Sequence, residues 1–112
     1  MRTYLLSPQA ENTLEEIIGW TIDYFGVDQA IKYKDQLIAR LSSLAADEVP
    51  HGRPCSALLS GKRDVGDLEY YREGQHYIIY RNTDYGIWVA DFVHGSRNLE
   101  IICEIHRHPF NF

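Results

Sequence analysis

The stretch FVHGSRNLE, residues 92–100, holds two side chains whose types and spacing suit chemistry, His94 and Arg97. An imidazole takes up and gives back protons near neutral pH, and a guanidinium three positions on supplies fixed positive charge. With Arg81 and His76 they form a set suited to metal-independent RNA cleavage. That reaction needs a base for the ribose 2′-hydroxyl, an acid for the leaving oxygen and cations for the charge developing on phosphate. Lys62 and Arg63 add charge on a loop-like stretch. The same residues also fit a partner-contact surface, or strand ends in water with the arginines paired to acids such as Asp84 and Glu100. Spacing by itself favours the last of these.

Other constellations offer less. Cys103, His106 and His108 read C-x-x-H-x-H, with His94 nearby, which are zinc-ligand types. The second pair of ligands at regular spacing is missing, so the tail reads as polar chain and no metal is expected. Ser96 beside His94 has poor geometry for a nucleophile and its base, because neighbours on a strand end point apart. No G-x-S-x-G elbow exists, and Cys103 within LEIICEI reads as a small buried hydrophobe. Gly52, Gly61 and Gly66 fit neither phosphate-binding glycine pattern, so no cofactor is expected. Tyr70, Tyr71, Tyr77, Tyr80 and Tyr85, in so acidic a chain, read as sheet packing or a protein contact rather than a base-stacking platform.

The elements that position these residues follow from periodicity. TYLLS, residues 3–7, reads as a first strand. Ser7-Pro8 then opens a helix, the serine as cap and the proline at a position that loses no hydrogen bond. Ala10, Leu14, Ile17, Ile18, Thr21 and Phe25 trace one helical face up to Gly26. Asp28 is expected to cap a second helix with Ile31, Leu37, Ile38, Leu41, Leu44 and Ala45 inward, ending before VPHGRP. A break of only Gly26-Val27 predicts an antiparallel helical hairpin. From residue 68 the pattern becomes β-like: LEYYR, QHYIIYR and GIWVADFVH, with a tight turn at Glu73-Gly74 and a longer one over 82–86. Alternation puts Trp88, Ala90 and Phe92 on one face of the last strand, and Ile87, Val89, Asp91 and Val93 on the other. Residues 50–66 read as loop. The expected fold is α+β: an N-terminal strand and a helical hairpin packed on an antiparallel sheet.

At 112 residues, 45% hydrophobic and 24% charged, the chain suits one soluble domain over 1–112. Its net charge of -5 counts against a protein that grips phosphate backbones, and no direct sequence-specific nucleic-acid binding is expected. The charge is uneven: residues 1–48 carry eight acids and four bases, while all five histidines follow residue 48. No apolar run approaches the roughly 18 residues of a membrane span, and the N-terminus does not resemble a signal peptide. Cys55 and Cys103 then read as reduced thiols of a cytoplasmic protein.

Several short motifs, in order along nearly the whole chain, resemble the RelE/ParE superfamily of bacterial toxins from type II toxin–antitoxin (plasmid stabilisation) modules. They are L-S-P-x-A at the first helix with F-G at its end, the DQAIKYKDQLIARL helix, PHGR at 50–53, QHYIIYR, and H-G-x-R in the closing strand. Together they lean towards the ParE branch. That resemblance implies a toxin that inhibits DNA gyrase by binding, without hydrolysis, and is neutralised by a ParD-like antitoxin. The antitoxin's C-terminal segment would fold along the hairpin's apolar edge and the sheet. Arg53, Arg81, His94 and Arg97 are the partner-facing residues on this reading, and none is catalytic. The RelE branch implies instead a ribosome-dependent messenger-RNA endoribonuclease, with His94, Arg97 and Arg81 as its catalytic set. Against that branch, Tyr77 stands where RelE-like toxins tend to have arginine, and no tyrosine follows Arg97. The tail LEIICEIHRHPFNF is longer and more apolar than a ParE-like end, so a diverged, non-toxic interaction module is the third reading.

Overall fold

Helix α1, Pro8–Phe25, starts where Ser7 caps it. In the computed structural model, which describes residues 2–55 and 68–97, the Ser7 hydroxyl accepts from the Ala10 N–H at 2.9 Å and donates to the Ala90 carbonyl at 2.7 Å. One buried side chain thus satisfies a helix end and ties that end to the sheet. Ser7→Ala is expected to cost about 1–2 kcal/mol, because it leaves both partners unsatisfied out of water. Urea unfolding monitored by circular dichroism measures it.

Gly26, at φ +91°, is the whole link to α2, Val27–Ala45. The cap position therefore falls on a residue with no side chain, and Asp28 lies inside the first turn rather than at the cap. Ala10, Ile17, Thr21, Leu37, Leu41, Leu44 and Ala45 are buried along the stripe read from periodicity. Phe25 and Ile31 share that stripe but are 64% and 52% exposed, because they sit at the closed end of the hairpin, where little of the fold covers them. No described helix is long and apolar enough to cross a membrane.

The sheet of β1 (Thr3–Leu6), β2 (Arg53–Pro54), β3 (Leu68–Glu73), β4 (His76–Thr83) and β5 (Gly86–His94) runs in the order β1-β5-β4-β3-β2. β3, β4 and β5 form the expected antiparallel meander. Both connections are two residues long, so the turn expected over 82–86 tightens to Asp84-Tyr85. β1, Thr3–Leu6, pairs with β5 in parallel, Thr3 opposite Gly86 and Leu6 opposite Val89, which makes the sheet mixed. The helical hairpin is the crossover that a parallel pair requires. β2 is two residues, Arg53–Pro54, pairing with Tyr70 and Glu69 within a stretch whose sequence reads as loop.

A register shift between Ile79 and Tyr80 leaves Ala90 as an extra residue on β5. Such a bulge offsets the alternation by one position. Phe92 therefore joins Ile87 and Val89 in the core under the helices, with Ile78, Tyr80, Leu41 and Ala45. Ala90 and Val93 pack instead with Cys55, Leu68 and Ile79 on the second face, beside Trp88. The strict alternation expected from sequence thus fails beyond Ala90, and Cys55 is fully buried on that second face.

Candidate partner-binding groove

Beyond Ile17 the outer flank of α1 carries large aromatics that the sheet does not cover. Trp20 is 53% exposed and stacks on Tyr24 and Phe25 at centroid distances of 4.7 and 5.7 Å. Between this flank and the β4–β5 end lies an open groove of about 930 Å³. Ile17, Trp20, Phe25, Phe92 and Val93 give it apolar lining, and His76, His94 and Arg97 make its polar sheet end. Glu16 lines it from α1 and Asp91 from β5, where the Asp91 carboxylate accepts from the Thr13 hydroxyl and from the Phe92 N–H. Wide, mostly apolar clefts with a few convergent polar groups hold ligands and peptide segments.

The sheet end is built by strand register. His76 and His94 are directly opposite on β4 and β5, their rings edge to face at 5.4 Å. From α2, the Tyr33 hydroxyl lies 2.7 Å from His76 Nδ1 and accepts from the Gln75 N–H at 3.0 Å. Its Glu73 carbonyl contact is longer, at 3.2 Å, so we assign the hydroxyl proton to His76 Nδ1 and the ring's own proton to Nε2. Burial raises Tyr33 above the ordinary phenol range and keeps it a donor. Arg40 clamps the same turn, its Nε 2.7 Å from Glu73, and that hydrogen bond raises the guanidinium further. His94 Nδ1 accepts from the Ser96 N–H at 3.1 Å and sits 2.8 Å from its hydroxyl. Behind them, Arg72 packs its guanidinium against Gly95 and over Tyr77.

Burial, then His94 and Arg72, hold His76 down to about 4. The folded state therefore binds fewer protons than the unfolded chain between about pH 4 and 6.5. Stability from this group is fully present above 6.5 and is lost as pH falls towards 4. The whole shift corresponds to roughly 3 kcal/mol, and screening of a half-buried ring reduces it to on the order of 1 kcal/mol. Urea midpoints measured from pH 7.5 to 4 should show that loss, and His76→Gln should remove most of its slope.

The residues singled out from sequence are only partly brought together. His94 and Arg97 lie side by side at the groove, both exposed, and His76 joins them. Arg81 is half-buried in β4, opposite Leu68 and Trp88, and does not line the groove. Arg53 is exposed on the edge strand β2. Its neighbour Gly52 lies under Tyr80, whose hydroxyl donates to Glu69 at 2.8 Å, and a Cβ there would strike that hydroxyl. Lys62, Arg63, Cys103, His106 and His108 fall outside the described residues. Sequence reasoning passed over Tyr33 and Trp20. The available signal for Trp20 was an aromatic displaced from the buried stripe, next to Tyr24 one turn on.

The chain matches the family model for ParE toxins of type II toxin–antitoxin system parDE over residues 4–99. Toxin ParE1 of Mycobacterium tuberculosis (strain ATCC 25618 / H37Rv) is 39% identical over 84 residues, covering 74% of this chain and 78% of the relative. The protein of the same name from strain CDC 1551 / Oshkosh matches with the same figures. A chain from the chromosomal ParDE TA system of P. aeruginosa superimposes with a TM-score of 0.64 over 84% of this chain and 96% of that one, at 15% identity, which speaks for the fold.

Proposed function

The chain belongs to the ParE toxins of type II toxin–antitoxin systems, and from that premise we propose that it inhibits DNA gyrase by binding and is neutralised by a ParD-like antitoxin. The match along residues 4–99 carries this reading. The groove supports it by offering a long apolar seat with polar ends, the shape that a segment folding on binding requires. His94 and Arg97 face the antitoxin in this arrangement, with Arg53 and Arg81 reserved for contacts elsewhere. The toxin forms and breaks no bond in its target. A supercoiling and cleavage-complex assay with purified gyrase is the test. Accumulation of cleaved DNA held by gyrase is expected, and it should vanish on adding the product of a short neighbouring gene with an acidic C-terminal segment. No gyrase effect, with cuts in translated messages instead, would sink the reading in favour of a ribosome-dependent endoribonuclease.

A further inference from the structure

The two edges of the sheet differ. β2 closes one side with two residues, an exposed Arg53 and Pro54. A short strand, a charge and a proline are devices that keep an edge from pairing with another chain. β1 closes the other side with Thr3–Leu6, four residues without a charge or a proline. Arg2, the cation next to it, is turned back into its own fold, where its Nε holds the Ala45 carbonyl at the end of α2. Strand geometry decides which backbone groups of β1 face out. Thr3 and Ser7 donate their N–H groups inward, to the carbonyls of Tyr85 and Val89 at 2.7 and 2.9 Å. Alternate residues of a strand turn their backbone groups to the same side, so Leu5 also faces β5, and the N–H and C=O groups of Tyr4 and Leu6 point away from it. Among the described residues those four groups have no partner. The side chains of Tyr4 and Leu6 pack on the core under the helices, whereas Leu5 stands 52% exposed, level with Trp88 of the second face.

We propose that this edge pairs with a second copy of the chain, β1 against β1 in antiparallel, about a two-fold axis at Leu5. Outward groups must oppose outward groups, so a slip by one residue is excluded. In the register centred on Leu5, Tyr4 of one copy faces Leu6 of the other and exchanges both hydrogen bonds with it. The symmetry repeats the exchange, so all four outward groups of each copy are satisfied. The two Leu5 residues then form a non-hydrogen-bonded pair, with Cα atoms about 4.5 Å apart and side chains in contact on the same face. The exposed leucine covers its own counterpart, so TYLLS is self-complementary and needs no foreign sequence. Two five-stranded sheets become one continuous sheet. β1 pairs with residues 86–89, at the far end of β5 from His94, and the proposal is independent of the toxin reading above. Area sets its strength. Two such short edges bury far less than the roughly 1,200 Å² of a stable interface, so the dimer is weak, with a dissociation constant on the order of 100 µM. Each copy carries a net charge of -5, so repulsion opposes pairing and added salt tightens it.

The test is sedimentation equilibrium of the full chain at concentrations on both sides of that constant. A monomer–dimer equilibrium is expected, stronger at about 500 mM salt than at about 50 mM. Leu5→Lys and Leu5→Glu each set like charges opposite one another and should weaken association more than about tenfold. Mixed in equal amounts they should restore it, because lysine then faces glutamate across the axis. Circular dichroism of both should match the native chain, since the Leu5 side chain is half in water. Leu5→Cys, a smaller change, should cross-link to itself under mild oxidation where the parent chain, with only Cys55 and Cys103, does not. Should the charged variants lose their fold, the cross-link alone decides. The proposal is overturned if the native chain stays monomeric, if the charged variants associate as it does, if their mixture recovers nothing, or if Leu5→Cys fails to cross-link. It is also overturned if the Tyr4 and Leu6 amides gain exchange protection from the neutralising partner and none from raised concentration, which gives the edge to a foreign strand.

Discussion

Trp20→Ala lowers affinity for the neutralising partner roughly 30- to 100-fold and leaves the fold intact. The ring is 53% exposed and lines the groove, with Tyr24 and Phe25 as its nearest aromatic neighbours. About half of the ring is already covered on folding, largely by side chains of the same exposed helix flank, so truncation should change stability by only about 1 kcal/mol. Its burial on binding is large, and a tryptophan at the centre of an interface commonly carries about 2–3 kcal/mol. Calorimetric titration of the antitoxin into native and variant toxin, beside a thermal melt of each alone, separates the two effects. A fall in melting temperature that matches the loss in affinity would mean that Trp20 holds the hairpin together instead.

Gly86→Ala has the opposite profile. Gly86 opens β5 at φ +144°, where a side chain is strained, and an added Cβ would run into the carbonyl of Thr3 on β1. The variant must either distort the start of β5 or release the parallel strand. A cost of about 3–5 kcal/mol follows, a fall in melting temperature on the order of 15 °C for a chain of this size. Gly19→Ala is the control. It lies within α1 with nothing near its Cβ position, and alanine there should stabilise by about 0.5–1 kcal/mol. Hydrogen exchange should locate the damage: amides of β1 should lose protection in Gly86→Ala before those of α1 and α2.

Short-range structure followed directly from residue spacing, and long-range structure did not. Ser7-Pro8, the stripe through Ile17, Leu37 and Leu41, and the meander from Leu68 to His94 are set by local chemistry that one stretch of sequence contains. The parallel docking of β1 on β5 depends on a partner far along the chain, and a four-residue strand has no alternation long enough to announce it. The Ala90 bulge is likewise silent, since Ala-Asp-Phe-Val reads as an ordinary continuation of the strand, yet it moves Phe92 into the core. At the site, His94 and Arg97 stood out because both lie on one short stretch. Tyr33 did not, because its role arises only when α2 crosses the β3–β4 turn. Arg81 stood out for its charge and lies outside the groove, since strand parity rather than residue type decides which face a side chain joins.

The pairing of the first strand with the last also bears on when the protein becomes dangerous to its host. Ser7 closes on Ala90 across 83 positions, and among the described residues β1 pairs in the sheet with β5 alone. A nascent chain can form the helical hairpin early, but the strand that precedes it stays unpaired until residues 86–89 have been made. The edge of the groove formed by Phe92, His94 and Arg97 is synthesised later still. A truncated or stalled translation product therefore has the hairpin without the sheet end of the binding surface. Any activity that uses that surface begins only once nearly the whole described chain has been translated.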